Sequence, residues 1–566
     1  MVTDVIAAIG YLGLDSTYYR GNALRCRNCR YVAQLPIMLQ DSLISPSAFL
    51  RSRTGRVCVA LRAPTVSELL ERANAALADS QFLEFRLDYL EGHGKPAQAV
   101  SQIGKFLAAH RDVAAIATCR RKAHGGGFTG PLAEELAVLA HAAESRFALL
   151  DLEIESAEQC KAAQLTALRK SGAALMISFH DFEKAVDPEA VFARIQRFEP
   201  EFVKIVSTSR SLTDSLHLLK WLKQRSGDAQ LVGISMGEAG IVSRVLSLRA
   251  GSAFTFASAS DGTETAAGQM TVRTLKDLYR IEDLDQATRI YGVAGNPIVH
   301  SLSPLMQNTA FHRERINAVY LPLKAESADD LMTLAHQLPL SGLSITMPLK
   351  QSVMKHLANV DPMTARLGAC NTIRTGADGK LYGFNTDVAG IVRPLEKRLH
   401  LKGARVLVLG AGGAARAAVY GLAEKGAKVF VWSRNEAHAR ELAAAAPVGG
   451  PAAGPVVGTV EAIPRAGIAA NAFDVMINAT PCGMHGNAHP LPLEPKEWKA
   501  RLVFDLVYNP LDTPLLKEAR ERGIATIQGF EMFVYQGARQ FELWTGKPAP
   551  EADMLRVVLF ALKKLQ

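Results

Sequence analysis

From residue 57 onward, short apolar runs alternate with amphipathic segments of helix length. The runs cover residues 57–61, 82–87, 113–118, 147–153, 174–180, 202–206, 231–234 and 253–256, each suited to a buried parallel strand. Segments such as 67–78 and 131–143 lie between most of them, with apolar positions at helical spacing. Eight strands alternating with helices over about 200 residues meet the requirement of a (β/α)8 barrel. A second α/β pattern follows. Arg405-Val406-Leu407-Val408-Leu409 reads as a buried strand, Gly410-Ala411-Gly412-Gly413-Ala414-Ala415 opens a helix over 415–425, and a further strand spans 428–432.

Polar residues fall in or just beyond the carboxyl ends of seven of these eight runs. They are Glu84 and Arg86 on the second run, Arg120 after the third, Asp151 and Glu153 on the fourth, His180 on the fifth and Lys204 on the sixth. Arg244 follows the seventh, and Thr265 and Gln269 lie beyond the eighth. Any one of these alone reads as a satisfied core polar group. In a barrel, however, all these strand ends share one mouth, where active sites are built. A lysine flanked by Val203, Ile205 and Val206 is partly desolvated, which disfavours the ammonium form and suits the amine to attack a carbonyl. An iminium so formed acidifies the neighbouring carbon, and an imidazole such as His180 can move that proton. Guanidinium groups at Arg86, Arg120 and Arg244 suit a carboxylated substrate. The residues alone point to a class I aldolase or a dehydratase without choosing between them.

In the second half, Gly410, Ala411, Gly412, Gly413, Ala414 and Ala415 form the GxGxxA fingerprint of a dinucleotide fold, set between a strand and a helix. An NAD site would place an acid at the end of the second strand. Ser433 and Arg434 stand there instead, with His438 one turn on, so a 2′-phosphate and hence NADP is expected. Ser301 and Ser303 are two apart; in an extended segment both hydroxyls face one way and can grip a carboxylate, while the competing reading is a helix cap ahead of Pro304. Asn478 and Thr480, in Asn478-Ala479-Thr480-Pro481, read either as the border of the nicotinamide or as a simple strand-end turn.

At 566 residues the chain requires two or three domains, and its 48% hydrophobic and 21% charged content is that of an ordinary globular protein. The longest apolar region, 406–423, carries Arg416 and belongs to the dinucleotide motif, so no membrane span is expected. A net charge of +9 comes without a basic stripe interleaved with aromatics, which argues against nucleic acid. Seven scattered cysteines lack framework spacing, so a reducing cytoplasm is expected. Residues 1–55 read as an extension, in which Cys26 and Cys29 form a lone CxxC without the second pair a zinc site needs.

Glu84-Phe85-Arg86-Leu87-Asp88, Ser178-Phe179-His180-Asp181-Phe182, Val203-Lys204-Ile205, Ser243-Arg244 and Thr265-Ala266-Ala267-Gly268-Gln269 resemble the type I 3-dehydroquinate dehydratases over about residues 57 to 280. The resemblance implies that Lys204 forms an imine with substrate and His180 is the acid/base. It places Glu84 and Arg86 at the hydroxyl side and Arg120 in the substrate site, with Arg244, Thr265 and Gln269 holding substrate. One position departs: the family usually places a glutamate where His124 precedes Gly125-Gly126. An imidazole cannot anchor His180 as a carboxylate does, so a slower or pH-shifted dehydratase is expected.

The Ser301 and Ser303 pair, the run from Gly342 to Lys350, Leu367-Gly368-Ala369-Cys370-Asn371-Thr372, Gly383-Phe384-Asn385-Thr386-Asp387 and Gly529-Phe530-Glu531 with Gln536 resemble the shikimate dehydrogenases from about residue 289 onward. Serine at Ser344, where many bacterial relatives carry asparagine, resembles the plant bifunctional enzymes. The resemblance implies a catalytic pair, Lys350 and Asp387, with Ser301, Ser303, Thr346, Asn371, Tyr508 and Gln536 binding carboxylate and ring hydroxyls. It implies an α/β chain in which a TIM barrel (56–283) precedes a two-domain dehydrogenase. The substrate domain spans 289–400, completed by C-terminal helices 531–566, and the Rossmann NADP domain spans 401–530. The implied substrates are 3-dehydroquinate, 3-dehydroshikimate and shikimate. Two alternatives share this outline: a quinate-preferring dehydrogenase with a weak dehydratase, and a non-catalytic metabolite-sensing repressor. The second is opposed by the presence of Lys204, His180, Lys350 and Asp387 together.

Overall fold

The computed structural model describes residues 55–91, 95–299, 301–446 and 458–564. The N-terminal CxxC and His300 lie outside them. The chain divides into two compact units at Thr288 and Arg289. Among the described residues no helix is long and apolar enough to cross a membrane.

The first unit contains β1 (Val57–Leu61), β2 (Phe82–Arg86), β3 (Ala114–Thr118), β4 (Leu149–Glu153), β5 (Ala174–His180), β6 (Phe202–Thr208), β7 (Gln230–Met236) and β8 (Thr255–Ser258). Every neighbouring pair is parallel, and β1 pairs with both β2 and β8. The sheet curls until Ala253 N donates to Leu231 O at 2.6 Å and Gly233 N to Ser252 Oγ at 3.3 Å, bringing β7 beside the entry to β8. The eighth strand begins two residues later than the apolar run at 253–256, because Phe254 is spent on packing before the ladder starts. Its ring meets Phe82 at 5.0 Å and Phe202 at 5.8 Å.

Side chains alternate across a strand, so one parity faces the lumen. Phe82, Ala114, Leu149, Ala174 and Phe202 open their strands on that parity and join one buried cluster. Two and four residues further along the same faces come Glu84 and Arg86 on β2, Asp151 and Glu153 on β4, Ser178 on β5 and Lys204 on β6. The apolar floor and the polar mouth are thus two ends of one alternation.

The second unit holds two sheets. The first has β9 (Arg289–Gly295), β10 (Ala318–Lys324), β11 (Leu340–Ile345), β12 (Asn359–Val360), β13 (Thr372–Thr375) and β14 (Leu381–Phe384), in the order β10-β9-β11-β13-β14-β12. The second has β15 (Arg405–Leu409), β16 (Lys428–Trp432), β17 (Thr459–Ala462), β18 (Phe473–Asn478), β19 (Ala500–Asp505) and β20 (Ala525–Ile527). Its order β17-β16-β15-β18-β19-β20 is entirely parallel, the doubly wound arrangement whose order reverses between β15 and β18. The helix Gly529–Thr545 returns to the first sheet of this unit, where Trp544 Nε1 donates to Ile373 O at 2.9 Å.

Gly342 on β11 makes that return possible: a Cβ there would lie 2.4 Å from Trp544 Nε1 and 3.0 Å from Ile373 O. Gly342→Ala is therefore expected to displace the indole and cost the second unit about 1–3 kcal/mol, as overpacking of a tight core does. Denaturant unfolding followed by tryptophan fluorescence checks this.

Candidate functional site

Eight of the residues expected at the barrel mouth converge. Glu84, Arg86, Arg120, His180, Lys204, Arg244, Thr265 and Gln269 all line one cavity, together with Gly125, Phe182 and Phe256. Lys204 Nζ is 3.0 Å from Asp151 Oδ2, 3.8 Å from Glu84 and 4.0 Å from the centre of the Phe256 ring. The apolar flanks of Lys204 did not disclose this carboxylate pairing, which makes the amine one half of a buried ion pair. Burial pushes the Asp151 pKa up, but Lys204 and Arg120 outweigh it and hold the carboxyl below its ordinary value. His180 is held well below its ordinary value by burial first, then by Arg120, Lys204 and Arg86. Its imidazole is neutral at neutral pH and ready to accept a proton.

The three arginines differ. Arg86 is clamped by Asp88 at 2.9 and 2.7 Å, and Arg120 reaches Asp151 at 3.2 Å and Ser178 at 3.4 Å. Two of the three guanidiniums therefore already have a carboxylate partner within the protein. Arg244 is 1% exposed, donates to Ala267 O at 3.0 Å and leaves Nε without a partner. Burial lowers its pKa to about 10, with no opposing carboxylate cause. A buried cation facing a cavity in this state is a receptor for an anion. Thr265 N and Oγ1 both donate to Gln269 Oε1, at 2.6 and 3.2 Å, joining the two residues of the last loop.

His124 does not line the cavity, whereas Gly125 does. Phe182 lies so close over Gly125 that a Cβ there would meet its ring at 2.3 Å. The same ring stacks on His180, with centroids 6.0 Å apart and planes at 18°. The ring thus occupies one face of the imidazole. Glu153 also stays out of the cavity and sits under the loop that carries Arg120.

In the second unit Lys350 Nζ donates to Asp387 Oδ2 at 2.7 Å. Asn371 Nδ2 donates to Asp387 Oδ1 at 2.8 Å and to Thr386 Oγ1 at 3.1 Å, while its Oδ1 accepts from Thr372 Oγ1 and Thr386 N. The amide expected to bind substrate is occupied with holding Asp387. Sequence reasoning missed Gln540 and Tyr320: Tyr320 OH donates to Ser344 Oγ at 2.5 Å, Ser344 Oγ to Gln540 Oε1 at 2.7 Å, and Gln540 Nε2 to Thr372 Oγ1 at 3.0 Å. Only the spacing of Gln540 one turn after Gln536 hinted at it. Ser301 and Ser303 do not lie in an extended segment. Ser303 begins the helix Ser303–Arg313, whose N-cap is Leu302 without a side-chain cap, and the Ser303 N–H donates to Ser301 Oγ at 3.3 Å. Thr346 and Gln536 are half-buried, with Gln536 Oε1 3.5 Å from Thr386 Oγ1; Tyr508 is exposed and stacks on Phe533 at 5.6 Å.

Gly410 follows β15 with φ +112°, a backbone that only glycine adopts freely. Nothing would lie within 4 Å of a Cβ at Gly412 or Gly413, and no side chain caps the helix Gly413–Glu424 that they open. Open space at Gly412 and Gly413, at the start of a helix that no side chain caps, fits a pyrophosphate. Ser433 and Arg434 follow β16, and Arg434 is exposed with no ion pair among the described residues. Asn478 reads from the sequence either as a border of the nicotinamide or as part of a strand-end turn. It is fully buried; its Oδ1 accepts from Thr480 N and Oγ1, and its Nδ2 donates to Asp505 and Cys482 O, so its side chain faces the protein.

Beneath Arg120 and Arg121, Ser156 Oγ faces two carboxylates, Glu135 at 2.8 Å and Glu153 at 3.3 Å, and Arg121 N donates to Glu153 at 3.4 Å. Burial raises Glu135 to about 7, and burial with the Glu135 charge raises Glu153 to about 8. Between the ordinary carboxylate range and these values the native chain holds protons that the unfolded chain has lost. Their contribution to stability is therefore full in acid and lost as pH rises through about 7 and 8. Glu135→Gln is expected to reduce the loss of barrel stability between pH 6 and pH 9 by about 2 kcal/mol, measured by chemical denaturation at both pH values.

Residues 57–286 match the type I 3-dehydroquinase family. Residues 293–373 match the shikimate dehydrogenase substrate binding domain, 394–481 the shikimate / quinate 5-dehydrogenase family, and 529–559 the shikimate 5′-dehydrogenase C-terminal domain. The chloroplastic bifunctional 3-dehydroquinate dehydratase/shikimate dehydrogenase of Arabidopsis thaliana is 32% identical over 515 residues, 88% of this chain and 83% of that protein. The shikimate dehydrogenase (NADP(+)) of Methanosarcina acetivorans is 40% identical over 283 residues, 49% of this chain and 99% of its own. The crystal structure of shikimate 5-dehydrogenase from Thermus thermophilus in complex with NADP(H) and shikimate matches at 32% identity and a TM-score of 0.43, covering 48% of this chain and 99% of that one. With both sets of motifs in order on one polypeptide, the chain belongs to the family of bifunctional 3-dehydroquinate dehydratase/shikimate dehydrogenases.

Proposed function

We propose that residues 56–283 dehydrate 3-dehydroquinate to 3-dehydroshikimate at Lys204. On this reading, residues 289–400 with 531–566 hold that product for reduction to shikimate, and 401–530 carry NADP. The observation that supports this most is the convergence of Lys204, His180 and the unpaired Arg244 on one cavity.

Arg244 takes the substrate carboxylate and sets the ring against Lys204. The amine of Lys204, having given a proton to a neighbouring base, adds to the ketone, and water leaves to form the imine. His180 removes a proton from the adjacent carbon, and the electron pair moves into the iminium. The same imidazolium then protonates the departing hydroxyl, so one water is lost and His180 returns neutral. Hydrolysis of the imine regenerates Lys204. Glu84, held by Thr118 Oγ1 at 2.8 Å, and Arg86, held by Asp88, face the ring hydroxyls.

In the second unit Lys350 donates a proton to the oxygen of the ketone being reduced, and Asp387 holds the ammonium in place. Asn371 fixes the other oxygen of Asp387. Ser301, Ser303, Thr346, Tyr508 and Gln536 surround the acid's carboxylate and hydroxyls. NADPH, when bound, supplies the hydride. The Gly410–Ala415 turn receives its pyrophosphate, Ser433 and Arg434 its 2′-phosphate, and Thr480 borders the nicotinamide through its backbone.

A reducing cytoplasm suits the five described cysteines, all free thiols. The partners on this reading are small hydroxy acids rather than nucleic acid. Substituting each lysine separates the two reactions. Lys204→Ala is expected to lower dehydration by about 10^4-fold or more while leaving reduction of 3-dehydroshikimate within twofold, and Lys350→Ala the reverse. Steady-state assays with each substrate separately check this. Unchanged dehydration in the first variant would remove Lys204 from the mechanism, and faster turnover of quinate than shikimate by wild type would select the quinate reading.

A further inference from the structure

Asp505 is a buried carboxylate for which neither reaction has a task. It ends β19 at 0% exposure. Thr513 Oγ1 donates to its Oδ2 at 2.6 Å, and Asn478 Nδ2 and Val507 N donate to its Oδ1 at 2.9 and 3.1 Å. Burial raises its pKa to about 6, against the pull of Thr513, Val507 and Asn478. At neutral pH it is an acceptor and nothing else.

That property fixes the next residue. An acceptor at Asp505 requires Asn478 to present its amide nitrogen, which leaves Oδ1 on the far side. There Oδ1 takes Thr480 N at 3.0 Å and Thr480 Oγ1 at 2.6 Å. Were the amide reversed, its oxygen would face the carboxylate and its nitrogen would face the Thr480 N–H, so both ends would fail together. The turn held in this way lies directly on the glycine turn. A Cβ on Gly410 would sit 3.0 Å from Ala479 O and 3.3 Å from Thr480 Cγ2. β15 and β18, which carry these two turns, flank the point where the strand order reverses, the crevice in which such folds bind nucleotides.

We propose that Asp505 is a positioning residue for the dinucleotide: through the orientation of Asn478 it holds the Ala479–Thr480 turn against Gly410 and so shapes the cofactor crevice. Asp505 never touches the cofactor. This rests on the reading of the glycine turn as the NADP site. Thr513 binds the other carboxylate oxygen and caps the helix Pro514–Glu521, accepting from Leu516 N at 3.3 Å. Losing Thr513 therefore weakens the same buried node without releasing Asn478.

NADP+ affinity of the full chain, measured by calorimetry, tests the idea without reference to turnover. Asp505→Ala and Asn478→Ala are each expected to weaken NADP+ by about tenfold, the size of one lost charge-assisted hydrogen bond. The double variant should be no weaker than Asp505→Ala alone, since both changes break one link. Thr513→Val should lower the melting temperature and leave the affinity within twofold of wild type. A folded Asp505→Ala chain with wild-type affinity overturns the proposal, as does a Thr513→Val chain weakened equally. If Asp505→Ala loses its cooperative melting transition, Asn478→Ala decides by the same thresholds. Wild-type chain that binds no NADP+ overturns the cofactor reading itself, and the positioning role with it.

Discussion

Burying a lysine ammonium among valines and isoleucines costs several kcal/mol unless a carboxylate is buried with it. The barrel meets that constraint with Asp151, 3.0 Å from Lys204, and adds Glu84 at 3.8 Å and the face of Phe256. Asp151 in turn is shared with Arg120, so its charge is balanced from two sides. The second unit solves a milder version of the same problem. Lys350 is about a third exposed, and Asp387 pairs with it at 2.7 Å. In the proposed mechanism each reaction is set on a lysine that an aspartate holds in place.

Around the first pair the electrostatics divide the labour. Lys204, Arg86 and Arg120 surround His180 and, with burial, keep it neutral. Two of those cations have carboxylate partners of their own, Asp88 for Arg86 and Asp151 for Arg120. Arg244 alone among the cavity's arginines is left without one, so an incoming anion has one obvious place to bind. Around the second pair the organisation is by hydrogen bonds: the chain Tyr320–Ser344–Gln540–Thr372–Asn371 ends on Asp387. That chain ties the wall bearing Ser344 to Asp387 without a formal charge in between.

The barrel was legible because its signal is local: eight apolar runs, seven of them with a polar residue near or beyond the carboxyl end, and a period-two alternation that puts Glu84 and Lys204 on the same side of their strands. The dinucleotide turn was legible for the same reason, since Gly410, Gly412 and the flanking strand and helix fall within a short stretch. What stayed hidden depends on distant pairing. Asp151 lies 53 positions from Lys204, and Gln540 lies 168 from Thr372, separations at which no spacing argument operates. The exposed or inward direction of a strand-end amide is likewise a tertiary property, which is why Asn478 and Asn371 read as ligand contacts while the fold turns both toward aspartates. Ser301 and Ser303 carry two readings for a local reason: the helix begins at Ser303 itself, with Pro304 suited to its first turn, and this competes with extended geometry.

The central claim is that one polypeptide carries two consecutive reactions, and it is tested most directly by adding 3-dehydroquinate alone to the purified chain with NADPH and following cofactor absorbance. 3-Dehydroquinate is also the ketone that a quinate dehydrogenase reduces, so the Lys204→Ala chain is followed beside the wild type. The account predicts loss of absorbance after a short lag in the wild type, as 3-dehydroshikimate accumulates and is reduced, and none in Lys204→Ala. Absorbance that stays constant with 3-dehydroquinate in the wild type, or falls equally in Lys204→Ala, would contradict it.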